Sequence, residues 1–210
     1  MTERTPSGVD AATGRRRPGR PPDLAKRVAV LAAARELLAE VGYSSMTIDA
    51  VARRAGLNRV LIYRVWDSKL ALAADAILAR QEPLVSADRG SLEADLHDFV
   101  GQLIDHMRQP AYVKGVPGLT VELLNDSATT RDIWKRYVEP SDRGFAEILD
   151  RAMTRGELHE RPDASILTRV VSGITTGLAQ TGRMDRDDIL AVVTDSLLGG
   201  VLHVDGPRRS

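Results

Sequence analysis

Between Thr47 and Trp66 the chain reads TIDAVARRAGLNRVLIYRVW, with Gly56 in the middle. On each side of that glycine there is room for only about two helical turns. Each run is preceded by a residue that caps helices, Thr47 before the first and Asn58 before the second. The first helix presents Ile48, Val51, Ala52 and Ala55 inward and breaks at Gly56; the second runs through Tyr63 to about Val65. Helices this short bury too little apolar surface to stand by themselves. They need a third helix, and residues 24–42 supply it. There Leu24, Val28, Leu31, Leu38 and Val41 recur at three- and four-residue steps and predict one buried face. Asp23 stands where an N-cap belongs and Gly42 where a C-cap belongs.

The same periodicity continues to the end of the chain. Ser68 caps a fourth helix whose apolar residues are Leu70, Leu72, Ala74, Ile77 and Leu78. Pro83 to Gly90 reads as a linker. Helical patterns then cover roughly 91–108, 118–126, 129–155, 164–182 and 186–202. Pro140 should kink or divide the long third segment of that set. Gly156 is placed to end it, and Asp163 to cap the next helix. Nothing has the two-residue alternation of a strand, so the expected fold is all-α. Residues 1–22 hold four prolines, three glycines and no apolar period, which predicts a disordered basic arm. The expected organisation is this arm (1–22), a helix–turn–helix domain at 23–82 with its motif at 47–66, a C-terminal helical domain at 83–204, and a frayed tail at 205–210.

Charge supports a division of labour. The formal net charge is zero, yet residues 15–69 carry twelve Lys/Arg against five Asp/Glu, whereas residues 70–210 carry sixteen against twenty-two. A basic head on an acidic body suits a polyanion partner. With no cysteine, disulfides, thiolate metal sites and cysteine nucleophiles are excluded. No stretch approaches the roughly 18–20 uncharged apolar residues of a spanning helix, and no apolar leader opens the chain. We therefore expect a cytoplasmic protein without a membrane partner. Catalysis is not expected either. His97-Asp98 resembles the dyad of all-helical metal phosphohydrolases, but no histidine precedes it, and His106, His159 and His203 lack ligand spacing with it. Neither a Gly-rich phosphate loop nor a nucleophile elbow is present. No metal or cofactor is implied.

In the 47–66 motif, Leu57, Ile62 and Trp66 can anchor the second helix inward while Arg59, Val60, Tyr63 and Arg64 face out. A helix enters the DNA major groove in that way. Thr47 offers a hydroxyl and first-turn amides to a phosphate, and Lys69 can do likewise. A plain αα-hairpin inside a bundle has the same spacing. Within the arm, Arg17 and Arg20 belong to the run Arg15-Arg16-Arg17-Pro18-Gly19-Arg20-Pro21-Pro22, whose Gly19-Arg20-Pro21 core resembles an AT-hook. Such arginines are attracted to narrow minor grooves, and a solubilising tail is the alternative.

Taken together, these residues resemble the DNA-binding domain of the TetR family of transcriptional regulators. The resemblance rests on AEVGYSSMTIDAVARRAGLNRVLIYRVWDSKLAL: Gly42-Tyr43 closing the first helix, Thr47 opening the second, Ala55-Gly56 at the turn, then Tyr63, Trp66 and Ser68-Lys69. It implies a dimeric regulator with an N-terminal DNA-binding domain and a C-terminal helical domain that dimerises and holds a small molecule. It assigns phosphate contacts to Thr47, Tyr63 and Lys69, and recognition-helix positions to Arg59, Val60, Leu61 and Arg64. The sequence departs from the family at Val60 and Leu61, where a small and a hydroxyl residue are common. Apolar contact with a thymine methyl is then the expected mode there. Arg59 can bond guanine N7 and O6 together, or clamp a phosphate.

Ile166, Val170, Ile174 and Leu178 step by four, and Leu190, Val193, Leu197 and Val201 make a second stripe, with Gly173 and Gly177 permitting close approach. With the resemblance, these predict an isologous four-helix dimer interface. Phe99, Leu103, Met107, Tyr112, Trp134, Tyr137 and Phe145 are candidates to line an effector pocket, with His97 and His106 as possible polar contacts, for a small and apolar ligand. The expected function is a repressor released from a palindromic DNA operator by that ligand. The alternative is a nonspecific architectural DNA binder.

Overall fold

A computed structural model of the chain describes residues 22–79, 84–125, 127–182 and 185–201. The basic arm with Arg17 and Arg20, Pro83, and the C-terminal tail lie outside them. Among the described residues every regular element is helical: α1 (Pro22–Ser45), α2 (Ile48–Ala55), α3 (Arg59–Tyr63), α4 (Lys69–Leu78), α5 (Leu92–Met107), α6 (Pro110–Leu123), α7 (Ser127–Ile133), α8 (Glu139–Arg155), α9 (Ala164–Thr181) and α10 (Arg186–Ser196). Two π-helical segments, Trp134–Val138 and Leu197–Val201, precede α8 and follow α10.

The caps expected at Thr47, Asn58 and Ser68 are formed, whereas α1 begins at Pro22, before Asp23, and runs past Gly42 to Ser45. Gly42, at φ 71°, interrupts α1. Thr47 Oγ1 accepts the Ala50 amide, Asn58 Oδ1 the Val60 amide and Ser68 Oγ the Ala71 amide. Gly56, at φ 66° and ψ 30°, closes α2 in the left-handed conformation that glycine adopts without steric cost. The helix α3 is shorter than its sequence suggests, ending at Tyr63 before a turn that carries Trp66 inward.

The buried face of α1 differs from the expected one. Leu24, Val28 and Val41 are exposed and Leu31 only half-buried; the core face is Val30, Ala33, Ala34, Leu37 and Leu38. Small residues lie inward because α6 crosses α1 closely. A β-carbon on Gly115 would come within 2.5 Å of Ile77 and 3.3 Å of Leu38, and one on Gly118 within 2.9 Å of Tyr43. The helix α6 also begins earlier than the sequence pattern suggests. Pro110 occupies its first turn, where the missing amide costs nothing, and Pro117 lies inside it.

The body is arranged around α5, which packs against α8, α9 and α10. Its core joins Leu96, Phe99, Val100, Leu103 and Ile104 to Phe145, Ile148, Leu149, Leu167, Val171, Ile189, Leu190, Val193 and Leu197. The division expected at Pro140 is realised one turn earlier. The Glu139 amide reaches back five residues to the Trp134 carbonyl, and Pro140 falls in the first turn of α8. A proline ring collides with the carbonyl four residues before it, and the wider π turn makes room for it.

Two buried carboxylates tie elements together. Asp95 on α5 accepts the Arg89 amide (2.5 Å), Arg151 Nε (3.1 Å) and Arg155 (3.1 Å), which fastens the 84–90 segment to α5 and α8. Asp75 on α4 accepts Arg27 (2.9 Å), Trp66 Nε1 (2.9 Å), Arg136 (3.2 Å) and the Tyr137 hydroxyl. It thereby joins α1, the end of the helix–turn–helix and the π segment before α8.

Candidate nucleic-acid interface

The helix–turn–helix stands on two inward anchors. Ile62 and Trp66 are fully buried and Leu57 is half-buried against the same core. Trp66 is further held by its indole N–H on Asp75 and by the Arg27 guanidinium 5.5 Å from its ring. With these residues inward, helical geometry turns Arg59, Val60, Tyr63 and Arg64 to solvent, and all four are exposed. Leu61 is half-buried, so less of it is open to a partner than of its neighbours.

A depression of about 390 Å³ beside α3 is lined by Ser44, Met46, Thr47, Ile48, Asp49, Tyr63, Asp67, Ser68 and Lys69. It brings together Thr47, Tyr63 and Lys69, which are sixteen and six residues apart in the chain. The Lys69 ammonium lies 4.3 Å from the centre of the Tyr43 ring and donates to the Ser44 carbonyl at 3.2 Å. Partial burial holds its pKa below the ordinary lysine value. Gly42-Tyr43, legible as a helix end, thus also supplies the platform for Lys69.

Not every basic residue of the head is free for an anionic partner. Arg54 makes a two-pronged contact with Glu40, 2.7 Å on each arm, which binds α2 to α1. Arg27 is committed to Asp75, and Arg35 Nε donates to the Ala76 carbonyl at 3.0 Å. The outward cations of α2, α3 and the start of α4 are Arg53, Arg59, Arg64 and Lys69. Arg59 has a neighbour that sequence reasoning missed: Asp49, in the first turn of α2, lies 3.6 Å from its guanidinium.

The expected pocket and interface residues lie outside the head. Phe99, Leu103, Met107 and Tyr112 are core residues. The Phe99 ring meets Phe145 edge-on with centroids 4.9 Å apart and presses on Gly144. Tyr137 turns its hydroxyl to Asp75, at the junction of head and body, and burial beside that carboxylate pushes its pKa up to about 12. Trp134 is half-buried with the Arg169 guanidinium 4.8 Å from its ring. His97 lines a surface depression of about 490 Å³, where Asp98 is paired with Arg89. Leu190, Val193 and Leu197, expected at the dimer interface, are buried against α5 and α9 within the protomer. Val201 has no described side chain. The other stripe does reach the surface, with Ile166 exposed and Val170, Ile174 and Leu178 half-buried.

A second, larger cleft of about 560 Å³ opens between head and body, bounded among others by Arg27, Arg64, Trp66, Asp75, Asp132 and Arg136. Within the body, Arg108, Asp142 and Thr175 each bury a polar side-chain atom that has no partner among the described residues. No described helix is long and apolar enough to cross a membrane.

Comparison with known proteins places the chain among regulators. Residues 30–76 match the family described as bacterial regulatory proteins, tetR family, and residues 86–196 match the tetracyclin repressor-like C-terminal domain. The regulator SrpR of Pseudomonas putida is 28% identical over 177 residues, covering 81% of each chain. A DNA-binding transcriptional repressor, TetR, of Mycobacteroides abscessus is 28% identical over 179 residues, covering 80% of this chain and 93% of the repressor. Among solved structures, the TetR family transcription regulator SCO0332 is 26% identical, with a TM-score of 0.61 over 83% of this chain and 97% of that one.

Proposed function

The chain belongs to the TetR family of transcriptional regulators, and we propose that it is a cytoplasmic repressor that binds a palindromic operator as a homodimer and releases it when a small molecule occupies its helical body. It is a DNA-binding helix–turn–helix regulator, and its matched relatives carry regulator names. The finer reading rests chiefly on one observation: α3 is fixed from beneath by Ile62 and Trp66 while Arg59, Val60, Tyr63 and Arg64 stand out together beside the Thr47–Lys69 depression. We take 23–82 as the DNA-binding head and 83–204 as the body. Thr47, Tyr63 and Lys69 would hold phosphates. Arg59 and Arg64 would meet base edges, and Val60, with the accessible part of Leu61, would meet thymine methyls. Arg17 and Arg20 would add minor-groove contacts from the arm.

A second copy would dock on α9. Its Ile166, Val170, Ile174 and Leu178 form an apolar stripe, and a β-carbon on Gly173 or Gly177 would meet nothing within 4 Å. Val192 on α10 adds exposed apolar surface. The effector would be a small, apolar molecule held in the helical body, beside its buried Phe99, Leu103, Met107 and Tyr112. Linkage then requires that DNA weaken effector binding by the same factor as effector weakens DNA binding.

The test is selection of sites from a random duplex library by the full-length protein, followed by mobility-shift competition against bulk DNA. The expected result is an inverted repeat with half-sites about one helical turn or a little more apart. Equal binding to every duplex, with a steep salt dependence, would favour the architectural alternative and overturn this reading.

A further inference from the structure

The outward face of α2 and α3 carries an acid where a phosphate-binding surface gains nothing from one. Asp49 lies in the first turn of α2 and lines the same depression as Thr47, Tyr63 and Lys69. Its carboxylate faces Arg59, the first residue of α3, with Oδ1 3.6 Å from one terminal guanidinium nitrogen. The two side chains are 57% and 64% exposed. Exposed pairs of this kind add little to fold stability, and a fixed negative charge on this face repels the backbone it is turned toward. The other carboxylates paired with basic side chains of the head serve the fold. Glu40 binds α2 to α1 through Arg54, and Asp75 binds Arg27 from the interior. Only the Asp49–Arg59 pair, among the described ion pairs, lies wholly on the α2–α3 face.

We propose that Asp49 is a specificity-determining positioning residue, which orients Arg59 for base readout and withholds it from phosphates. This rests on the reading of α3 as the recognition helix. The chemistry follows from the guanidinium itself. A carboxylate beside the group cancels most of its long-range attraction to the sugar–phosphate backbone. The directional N–H donors remain. Arg59 has five of them, and Asp49 faces one terminal nitrogen, leaving donors for the N7 and O6 pair of a guanine. Such a bidentate contact needs a defined plane, and a carboxylate 3.6 Å away biases the otherwise flexible side chain toward one. The Thr47 cap and the Asn58 cap fix the two helix starts from which Asp49 and Arg59 extend. The pair therefore trades general DNA affinity for discrimination at one base pair. On this proposal Arg59 reads a guanine rather than clamping a phosphate.

The experiment uses full-length protein and the inverted repeat that the wild type selects, with every single-base variant of one half-site as competitors. In Arg59→Ala, preference at one G·C pair is lost. In Asp49→Asn, preference at that same pair should fall about tenfold while binding to bulk DNA rises several-fold, with a salt slope steeper by about one phosphate contact. Asp49→Asn added to Arg59→Ala should cause no further loss of preference. Asp49→Glu, which keeps the charge, should restore the wild-type salt slope and part of the discrimination. Thermal unfolding without DNA identifies a merely structural role. If Asp49→Asn lowers the melting temperature and weakens all duplexes equally, with preference unchanged, the proposal is overturned. It is also overturned if Asp49→Asn erases preference at a pair that Arg59→Ala leaves intact, because Asp49 would then read a cytosine directly. If the wild type selects no site at all, the reading of α3 falls and this proposal with it.

Discussion

Asp95 and Asp75 are single carboxylates with more partners than either neighbouring sequence would suggest. In the sequence each is one acid among others on an amphipathic helix, and nothing local marks it. Their partners arrive from 6 to 62 residues away, so only the fold reveals them. By contrast, Thr47, Asn58, Ser68, Asp163 and Gly156 are legible because a cap is a local device: the four side chains accept amides two or three residues on, and the Gly156 amide donates to the Ala152 and Met153 carbonyls. Asp95 also carries a pH prediction. Burial alone would raise its pKa, but the Arg89 amide and the Arg155 and Arg151 guanidiniums outweigh burial and hold it below the ordinary carboxylate value. A depressed carboxyl adds stability that is complete above its unfolded pKa, near 4, and is lost as pH falls through the lower folded value. Thermal unfolding followed from pH 7 to pH 2.5 should show this. Asp95→Asn should be less stable at pH 7 by about 1.5–3 kcal/mol, since Arg151 loses its carboxylate while Arg155 keeps Asp88 and Glu157. The gap from wild type should narrow below about pH 4. A gap that stays constant over the whole range would show that the carboxylate's charge is not what holds the cluster.

At the scale of elements, sequence periodicity located the helices better than their faces. The α1 stripe was misplaced because hydrophobicity favours large residues, whereas a close helix crossing favours small ones. Ala33 and Ala34 are buried, and Leu24 and Val28 are not. The helix α6 begins at Pro110, eight residues before the 118–126 pattern, and runs through Pro117 although an interior proline costs roughly 3 kcal/mol. Tertiary packing on α1 and α4 overrides that penalty. The same small-residue logic makes a prediction in α8. Gly144 lies under the Phe99 ring, and a β-carbon there would be 2.2 Å from its nearest atom. Phe99 cannot yield freely, because it is fully buried and edge-on to Phe145. Alanine in mid-helix ordinarily gains up to about 1 kcal/mol over glycine, but overpacking a close-packed core costs about 1–3 kcal/mol. Gly144→Ala should therefore lower stability by about 1–2 kcal/mol in urea unfolding. Gly144→Ala combined with Phe99→Leu should recover part of that loss. A stabilised single variant would show that α5 and α8 lie further apart than described here.

For the whole molecule, a protein that reads an inverted repeat must hold two heads at one spacing, and in the proposed dimer that requirement falls on α9. The expectation of a dimer seam combined two stripes, of which only one reaches the surface. Amphipathic periodicity marks a face that is buried, without saying whether by the same chain or by another, so Leu190, Val193 and Leu197 looked the same in the sequence as Ile166 and Ile174. Ile166 is 52% exposed, and Val170, Ile174, Leu178, Gly173 and Gly177 continue its face along the helix. If a second copy covers that face, a charge placed at Ile166 is buried without a counter-ion, whereas in a monomer that exposed position leaves it solvated. Ile166→Glu should therefore leave the helical circular dichroism unchanged and yield a monomer at micromolar concentration in sedimentation velocity. Operator affinity should fall as well. Two linked heads share the binding free energy through an effective concentration, and separating them forfeits about 10²–10⁴ in apparent affinity. Binding to a single half-site should change little, because α3 and its anchors are untouched. A variant that remains dimeric with full operator affinity would remove α9 from the interface and require another surface to set the spacing of the heads.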